Sequence, residues 1–217
     1  MKYDISFIHT AKVHVNTFNS ILLELAPQLN IHHVVDELLL VHAQQHGVDD
    51  ALKAKLQSHL EVLSQQSKVV VITCSSIGAM AENVGLLNGC VIQRVDRAMA
   101  DYAVQNAKNI LVIAALESTL QSTENLLKNS MLDIGTSSNI SFKCIASAWE
   151  YFLNGEIALY YDEIEKVLKS NETDFDLIVL AQASMAGVCD QVSLSIPILS
   201  SPKLGVQRAI NVVKMLS

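Results

Sequence analysis

VITCSSIGAMAENV, from Val71 to Val84, is matched later in the chain by VLAQASMAGVCDQV, from Val179 to Val192, and the two segments align without a gap. The alignment sets Cys74 against Gln182, Ser76 against Ser184, Glu82 against Asp190, Asn83 against Gln191 and Val84 against Val192. A shared rhythm of polar and apolar positions over this length points to an internal duplication, with two related lobes in one chain. The duplication is chemically asymmetric. The same place carries a thiol in one copy and a neutral carboxamide in the other.

Outward from these segments, the runs VVVIT, ILVIAAL and LIVLA are apolar throughout rather than alternating, as expected of parallel strands covered by helices on both faces. Strands are expected over Asp4–His9 and Ile31–Asp36, and from Lys68, Cys90, Asn109, Ile140, Asp176 and Ile196. Apolar residues at three- and four-residue intervals predict helices over Asp49–Gln66, Gly78–Leu87, Arg94–Ala107, Thr119–Met131, Trp149–Lys169 and Pro202–Leu216. Pro202 suits a first helical turn. This alternation predicts an α/β fold of two pseudo-symmetric lobes, each a mainly parallel sheet flanked by helices and joined by right-handed crossovers. No Pro-, Gly- or Ser-rich linker separates the halves. A division near Lys108 gives an N-terminal lobe 1–107 with the Cys74 motif and a C-terminal lobe 108–217 with the Gln182 motif, the last helix being free to pack on the first lobe. Weaker matches, IHTAKV from Ile8 with ALESTL from Ala115 and RAMADYAV from Arg97 with GVQRAINV from Gly205, extend the repeat.

A chain of 217 residues with 50% hydrophobic content can bury a large core. Its formal net charge is -7 and its 15 Lys and Arg are scattered, so neither nucleic acid nor an anionic membrane surface is expected as a partner. MKYDISFIHTAKVHV lacks the apolar core of a signal peptide, and no stretch reaches the roughly 18 apolar residues of a spanning helix. A soluble cytoplasmic protein is expected. Cys74, Cys90, Cys144 and Cys189 are widely spaced with no C-x-x-C pair, and are expected to be free thiols.

In open α/β sheets ligands collect at the carboxyl ends of the strands. That rule selects His9, Thr10, Thr17, Cys74, Ser75 and Ser76 in the first lobe, and Glu117, Ser118, Thr119, Thr123, Gln182, Ala183 and Ser184 in the second, with a pseudo-twofold axis expected to bring the two sets together. Cys74 stands where an apolar strand ends and a helix begins. Backbone N–H groups there can lower a thiol pKa from about 8.5 or hold a substrate carboxylate, whereas the plainer role is that of a small buried packing residue. His9 either orients substrate and shuttles a proton or is structural. Glu117 either binds a substrate amino group or caps the helix that follows it. His42 and His46 share a helical face without a third ligand, and His32 and His33 point to opposite sides of a strand, so no metal site is expected. Arg94 and Asp96 form an ion pair or contact a carboxylate. Cys90, Cys144 and Cys189 are assigned to packing because they lack a strand-end, helix-start context, and Trp149, Tyr160 and Tyr161 to the core.

Cys74-Ser75-Ser76 after KVVVIT, Ile8-His9-Thr10 after the first strand and the second motif at Leu180-Ala181-Gln182-Ala183-Ser184 resemble the aspartate/glutamate/hydantoin racemase superfamily over nearly the whole chain. The resemblance implies two pseudo-symmetric α/β lobes with the active site between them, no cofactor, and a homodimer. It also implies proton transfer alpha to a carboxylate or carbonyl of a small acid or hydantoin-like substrate. In that family, which includes amino-acid and hydantoin racemases, maleate isomerase and arylmalonate decarboxylase, one cysteine removes a proton and a second returns one. Cys74 matches the first. The second falls on Gln182, a carboxamide that does not titrate near neutral pH, so a single-cysteine variant is implied whose chemistry is one-sided or decarboxylating. Cys74 is then the catalytic residue. Thr10, Ser75, Ser76, Ser118, Thr119, Gln182, Ala183 and Ser184 are substrate-binding donors, and His9 and Glu117 possible contributors. A catalytically silent small-molecule-binding protein of the same fold is the alternative.

Overall fold

The computed structural model describes residues 1–216, which form two compact units: Met1–Asp96 with the chain from Pro202 onward, and Arg97–Ser201. The first unit contains the strands β1 (Tyr3–His9), β2 (Ile31–Val35), β3 (Ser67–Ile72), β4 (Leu86–Leu87) and β5 (Cys90–Arg94), in the sheet order β2-β1-β3-β5-β4. All pairings are parallel except β4 with β5. Four helices belong to this stretch: α1 (Val13–Leu25), α2 (Leu38–His46), α3 (Asp50–Ser64) and α4 (Ser75–Val84). Because successive strand residues point to opposite faces, the sheet carries a core on each side. Ile8, Val70 and Ile72 pack with Leu39, Leu52, Leu56, Leu60 and Ile77 on one face. Ile5, Phe7, Val69 and Val71 pack with Phe18 and Leu22 on the other. This two-sided burial is the physical reason that VVVI runs apolar without alternation.

The second unit contains β6 (Asn109–Ala114), β7 (Asn139–Cys144), β8 (Leu177–Leu180) and β9 (Ile198–Ser200), all parallel, in the order β7-β6-β8-β9. This order repeats β2-β1-β3-β5. Its helices are α5 (Arg97–Asn106), α6 (Glu117–Ile134), α7 (Ala146–Leu153) and α8 (Ile157–Ser170), and a 3₁₀ segment spans Ala183–Asp190. Leu111, Ile113, Ile178 and Leu180 pack with Ile164, Leu168, Tyr160 and Met185. The last helix, α9 (Ser201–Met215), contributes Val206, Ala209, Ile210 and Val213 to the core around Phe7 and Val71 of the first unit. Beside a division at Lys108, α5 lies with the second unit, where it packs on α6, and α9 with the first.

All eight expected strands are present, and the differences are local. α1 and α2 were not anticipated: α1 is rich in Val, Thr, Asn and Ser, weak helix formers, and buries only Phe18 and Leu22 fully. The expected helix over Gly78–Leu87 starts earlier, at Ser75, and yields at Gly85 to the short β4. Trp149–Lys169 is two helices rather than one, broken at Asn154-Gly155, where Gly155 takes φ +75. The segment after β8 is 3₁₀ where its counterpart after β3 is α-helical, and Tyr161 fills the space in which a side chain at Gly187 would lie.

Gly205 lets α9 approach the main chain after β5, because a Cβ there would fall inside van der Waals contact of Val95 O and Cγ2. Gly205→Ala is expected to destabilise the first unit by about 2–3 kcal/mol, since the obstructing atom is backbone, and the loss is read as a lowered urea midpoint at unchanged slope.

Candidate functional site

In the first unit the carboxyl ends of β1 and β3 are locked together. The Thr73 amide donates to Ile8 O at 3.0 Å, and the Thr73 hydroxyl donates to the same carbonyl at 3.0 Å. Cys74 follows as the N-cap residue of α4, in extended conformation (φ -102, ψ 118) and half-buried. Thr10, the residue after β1, and the Ser76 side chain are the polar neighbours of its sulfur, whereas the Ile77 amide donates to Cys74 O at 3.3 Å and the sulfur caps no amide of α4. Burial is nevertheless the largest influence and holds the thiol above its ordinary value, the reverse of the lowering expected from the helix start alone. Free Cys74 is therefore a thiol at neutral pH, set among groups that can also hold its thiolate.

Behind Thr73 lies a buried line of polar side chains. The Thr73 hydroxyl lies 2.9 Å from His9 Nδ1. His9 Nε2 lies 2.8 Å from His33 Nδ1, and His33 Nε2 lies 2.9 Å from Asn19 Oδ1. His9 is fully buried, and burial, then the neighbouring His33 and His14, lower its pKa to about 3. It is neutral, with both ring nitrogens engaged, and fixes the residue next to Cys74. Phe7 stacks on the His9 and His33 rings. Ser75 and Ser76 are buried in the first turn of α4.

The second unit reproduces this frame. Ala181 N donates to Ile113 O at 2.9 Å, as Thr73 N does to Ile8 O, and Ile145 N donates to Ala114 O at 2.8 Å, as Asp36 N does to His9 O at 2.9 Å. These bonds align Ile8 with Ile113 and Thr10 with Ala115, two residues away from the alignment of IHTAKV with ALESTL. Thr10 bonds to Cys74, and its counterpart Ala115 donates its amide to Gln182 Oε1 at 2.5 Å. Gln182 is buried, and its carbonyl end is occupied. Ser184 Oγ is paired with Tyr160 OH at 2.8 Å. Thr119 and Ala183 are buried, Ser118 is exposed, and Thr123 is fully buried with a hydroxyl that has no partner among the described residues.

Sequence reasoning placed Cys144 among packing residues without a strand-end context. It is instead the last residue of β7, two before α7, and half-buried, with the Glu117 carboxylate at the start of α6 as its charged neighbour. Burial and that carboxylate raise the thiol to about 11. An open cavity of about 590 Å³ at the carboxyl ends of β1 and β2, lined by Lys12, Asn16, Val35, Asp36 and Leu38 among others, was also missed, since its residues carry no motif.

The remaining candidates fall into structural contacts. Arg94 is buried and bonds to Asp96 through Nε at 2.6 Å and through Nη2 at 3.0 Å, with Glu82 at 3.2 Å. His42 bonds to Asp49 at 2.8 Å, and His32 stacks on Tyr3 while His33 faces His9. Trp149, Tyr160 and Tyr161 join the core of the second unit, Cys90 is buried, and Cys189 is half-buried. All four cysteines are free. Among the described residues no helix is long and apolar enough to cross a membrane.

No protein-family model and no curated protein matches the sequence. Solved structures do match in fold. Aspartate racemase of Picrophilus torridus is 14% identical with TM-score 0.72, over 99% of this chain and 95% of that one. Glutamate racemase of Bacillus anthracis is 18% identical with TM-score 0.73, over 100% of this chain and 84% of that one. Allantoin racemase of Klebsiella pneumoniae is 15% identical with TM-score 0.65, over 98% and 88%. The fold is that of the aspartate, glutamate and allantoin racemases.

Alkylation of Cys74 by iodoacetamide, followed by mass spectrometry of its peptide, is expected to be slow at pH 7 and to accelerate with a midpoint above that of an unfolded thiol. Thr10→Val, which removes one donor to sulfur, moves that midpoint further up.

Proposed function

We propose that this chain is a cofactor-independent enzyme of the aspartate/glutamate/hydantoin racemase type that moves a proton alpha to a carboxylate or carbonyl of a small acid, with Cys74 as its proton-transferring group. The observation that carries the reading is the place of Cys74: a half-buried thiol at the carboxyl edge of a parallel sheet, at the start of α4, with the side chains of Thr10 and Ser76 beside its sulfur. The likeness of fold to racemases supports it.

The chemistry follows from the two states of one sulfur. As thiolate, Cys74 takes the alpha proton: the C–H bond breaks, S–H forms, and the electron pair passes to the adjacent carbonyl or carboxylate oxygen. As thiol, it returns a proton to the carbon. The fixed donors around the sulfur serve the thiolate, and their orientation needs no rearrangement as charge develops. Gln182 takes no part in proton exchange. With Oε1 held by Ala115, its Nε2 is the end that donates to a substrate oxygen, and the exposed Ser118 hydroxyl, with Thr10, Ser75, Ser76, Thr119 and Ser184 around the strand ends, supplies further polar groups. Four free cysteines suit a reducing compartment such as the cytoplasm, and the racemase type suits a homodimer.

Chiral chromatography after incubation with aspartate, glutamate, hydantoins and substituted malonates tests the reading. The native protein is expected to convert at least one of them, and Cys74→Ser to lose at least 10³-fold of that rate. Because burial raises the Cys74 pKa, the thiolate fraction grows with pH, so the rate rises from pH 7 upward until the thiol titrates. Conversion that survives Cys74→Ser undiminished overturns the proposal.

A further inference from the structure

We infer that the buried His9–His33 pair is a proton switch behind the Cys74 strand end: in acid the two rings take up a single proton and share it, and that proton decides whether the Thr73 hydroxyl is held on Ile8 O. The inference deepens the function proposed above, since it adds a pH control to the same strand end. Its test reads the rings themselves and needs no turnover.

The basis is a count of hydrogens along one line within the first unit. The line runs from Ile8 O to Thr73 Oγ1 at 3.0 Å, from Thr73 Oγ1 to His9 Nδ1 at 2.9 Å, from His9 Nε2 to His33 Nδ1 at 2.8 Å, and from His33 Nε2 to Asn19 Oδ1 at 2.9 Å. Both ends are carbonyl oxygens, which only accept. Four contacts between such ends need four hydrogens. The Thr73 hydroxyl brings one and two neutral imidazoles bring one each, so the line is one proton short whichever tautomers the rings adopt. With neutral rings, either one contact lacks its hydrogen or the Asn19 amide turns over to offer Nδ2. One added proton makes all four contacts hydrogen bonds as they stand. A second would put two hydrogens into the single contact between the rings, so the pair takes one and no more.

The consequence reaches Cys74 through its neighbour in the chain. With three hydrogens on the line, the Thr73 hydroxyl is shared between His9 and Ile8 O. With four it stays on Ile8 O, beside the Thr73 amide that already ends β3 in register with β1.

The surroundings decide when the proton enters. Phe7 stacks on both rings, with centroids 5.8 Å from His9 and 5.2 Å from His33, and its face is of the kind that attracts a cation. Around Phe7, α1 contributes Phe18 and Leu22, and α9 contributes Val206, Ala209, Ile210 and Val213. The titratable groups that act on the pair are His14 of α1, its ring 6.4 Å from that of His9, and His32, which precedes His33 on β2. No carboxylate of the described residues is among them. Burial, then these like-signed neighbours, hold the pair neutral at pH 7, with His9 at about 3 and His33 lowered from the ordinary 6.5. Both values lie below that of an unfolded histidine. The stability contributed by the neutral rings is therefore complete above about pH 6.5 and is lost as the pH falls toward 3.

Long-range proton–nitrogen NMR of the histidine rings in the full chain, from neutral pH into acid, tests the switch, with circular dichroism following the fold at each pH. His9 and His33 are expected to move together, with one midpoint and one proton for the pair. Asn19→Asp keeps an acceptor at the end of the line and adds the missing counter-charge. It is expected to raise the midpoint by about 1–3 pH units, whereas Asn19→Leu, which removes the acceptor, lowers it. Separate midpoints with a full proton on each ring overturn the inference, and so does a midpoint that Asn19→Asp leaves in place. If the native chain unfolds before either ring titrates, Asn19→Asp decides, because its event lies nearer neutral pH, where the unit is folded. Each of these outcomes leaves the role of Cys74 to its own assay.

Discussion

Everything chemical in the first unit depends on one backbone contact, the amide of Thr73 donating to Ile8 O. It ends β3 in register with β1 and turns the chain so that the next residue, Cys74, begins α4 at the edge of the sheet. The Thr73 hydroxyl repeats the bond, and His9, His33 and Asn19 back it from behind. Such a buried polar line is costly unless every member is satisfied, and here each ring nitrogen of His9 and His33 has a partner. The second unit makes the same backbone contact between Ala181 and Ile113, where an alanine stands in place of the threonine and no hydroxyl of its own repeats the bond. The geometry of the strand ends is duplicated, whereas the polar scaffold behind them is not.

The balance at each thiol follows from burial against local donors and charges. At Cys74 burial outweighs the neighbouring polar groups, which favour the thiolate. At Cys144 desolvation and a carboxylate act in the same direction. Neither sulfur is a resting thiolate, in contrast to nucleophilic cysteines that sit beside a cation. For the proton exchange proposed for Cys74, a thiol of high pKa is a competent donor and its conjugate base a strong acceptor.

Much of this was legible in the sequence because it is written locally. Apolar runs such as VVVI and ILVIA mark strands buried on both faces, and the place of Cys74 just after one of them marks a strand end. The duplication was visible for the same reason, in two segments that keep their spacing. What was not legible depends on contacts distant in sequence. His9 meets Thr73 from 64 positions away, and Gln182 meets Ala115 from 67. The strand end at Cys144 is not legible because ISFKCI gives no sign of where its strand stops, and its neighbour Glu117 lies on another element. The loose alignment of the repeat around His9 slipped by two residues, since apolar and small residues there match in several registers and only the hydrogen bonds fix one of them.

The account stands on Cys74 exchanging a proton with carbon. The measurement that tests it most directly is proton NMR of the alpha position of small carboxylates and hydantoins incubated in heavy water with native and Cys74→Ser protein. The account predicts loss of the alpha-proton signal, or appearance of deuterated product, with native protein alone. Equal deuterium incorporation with both proteins, or none with either, would contradict it.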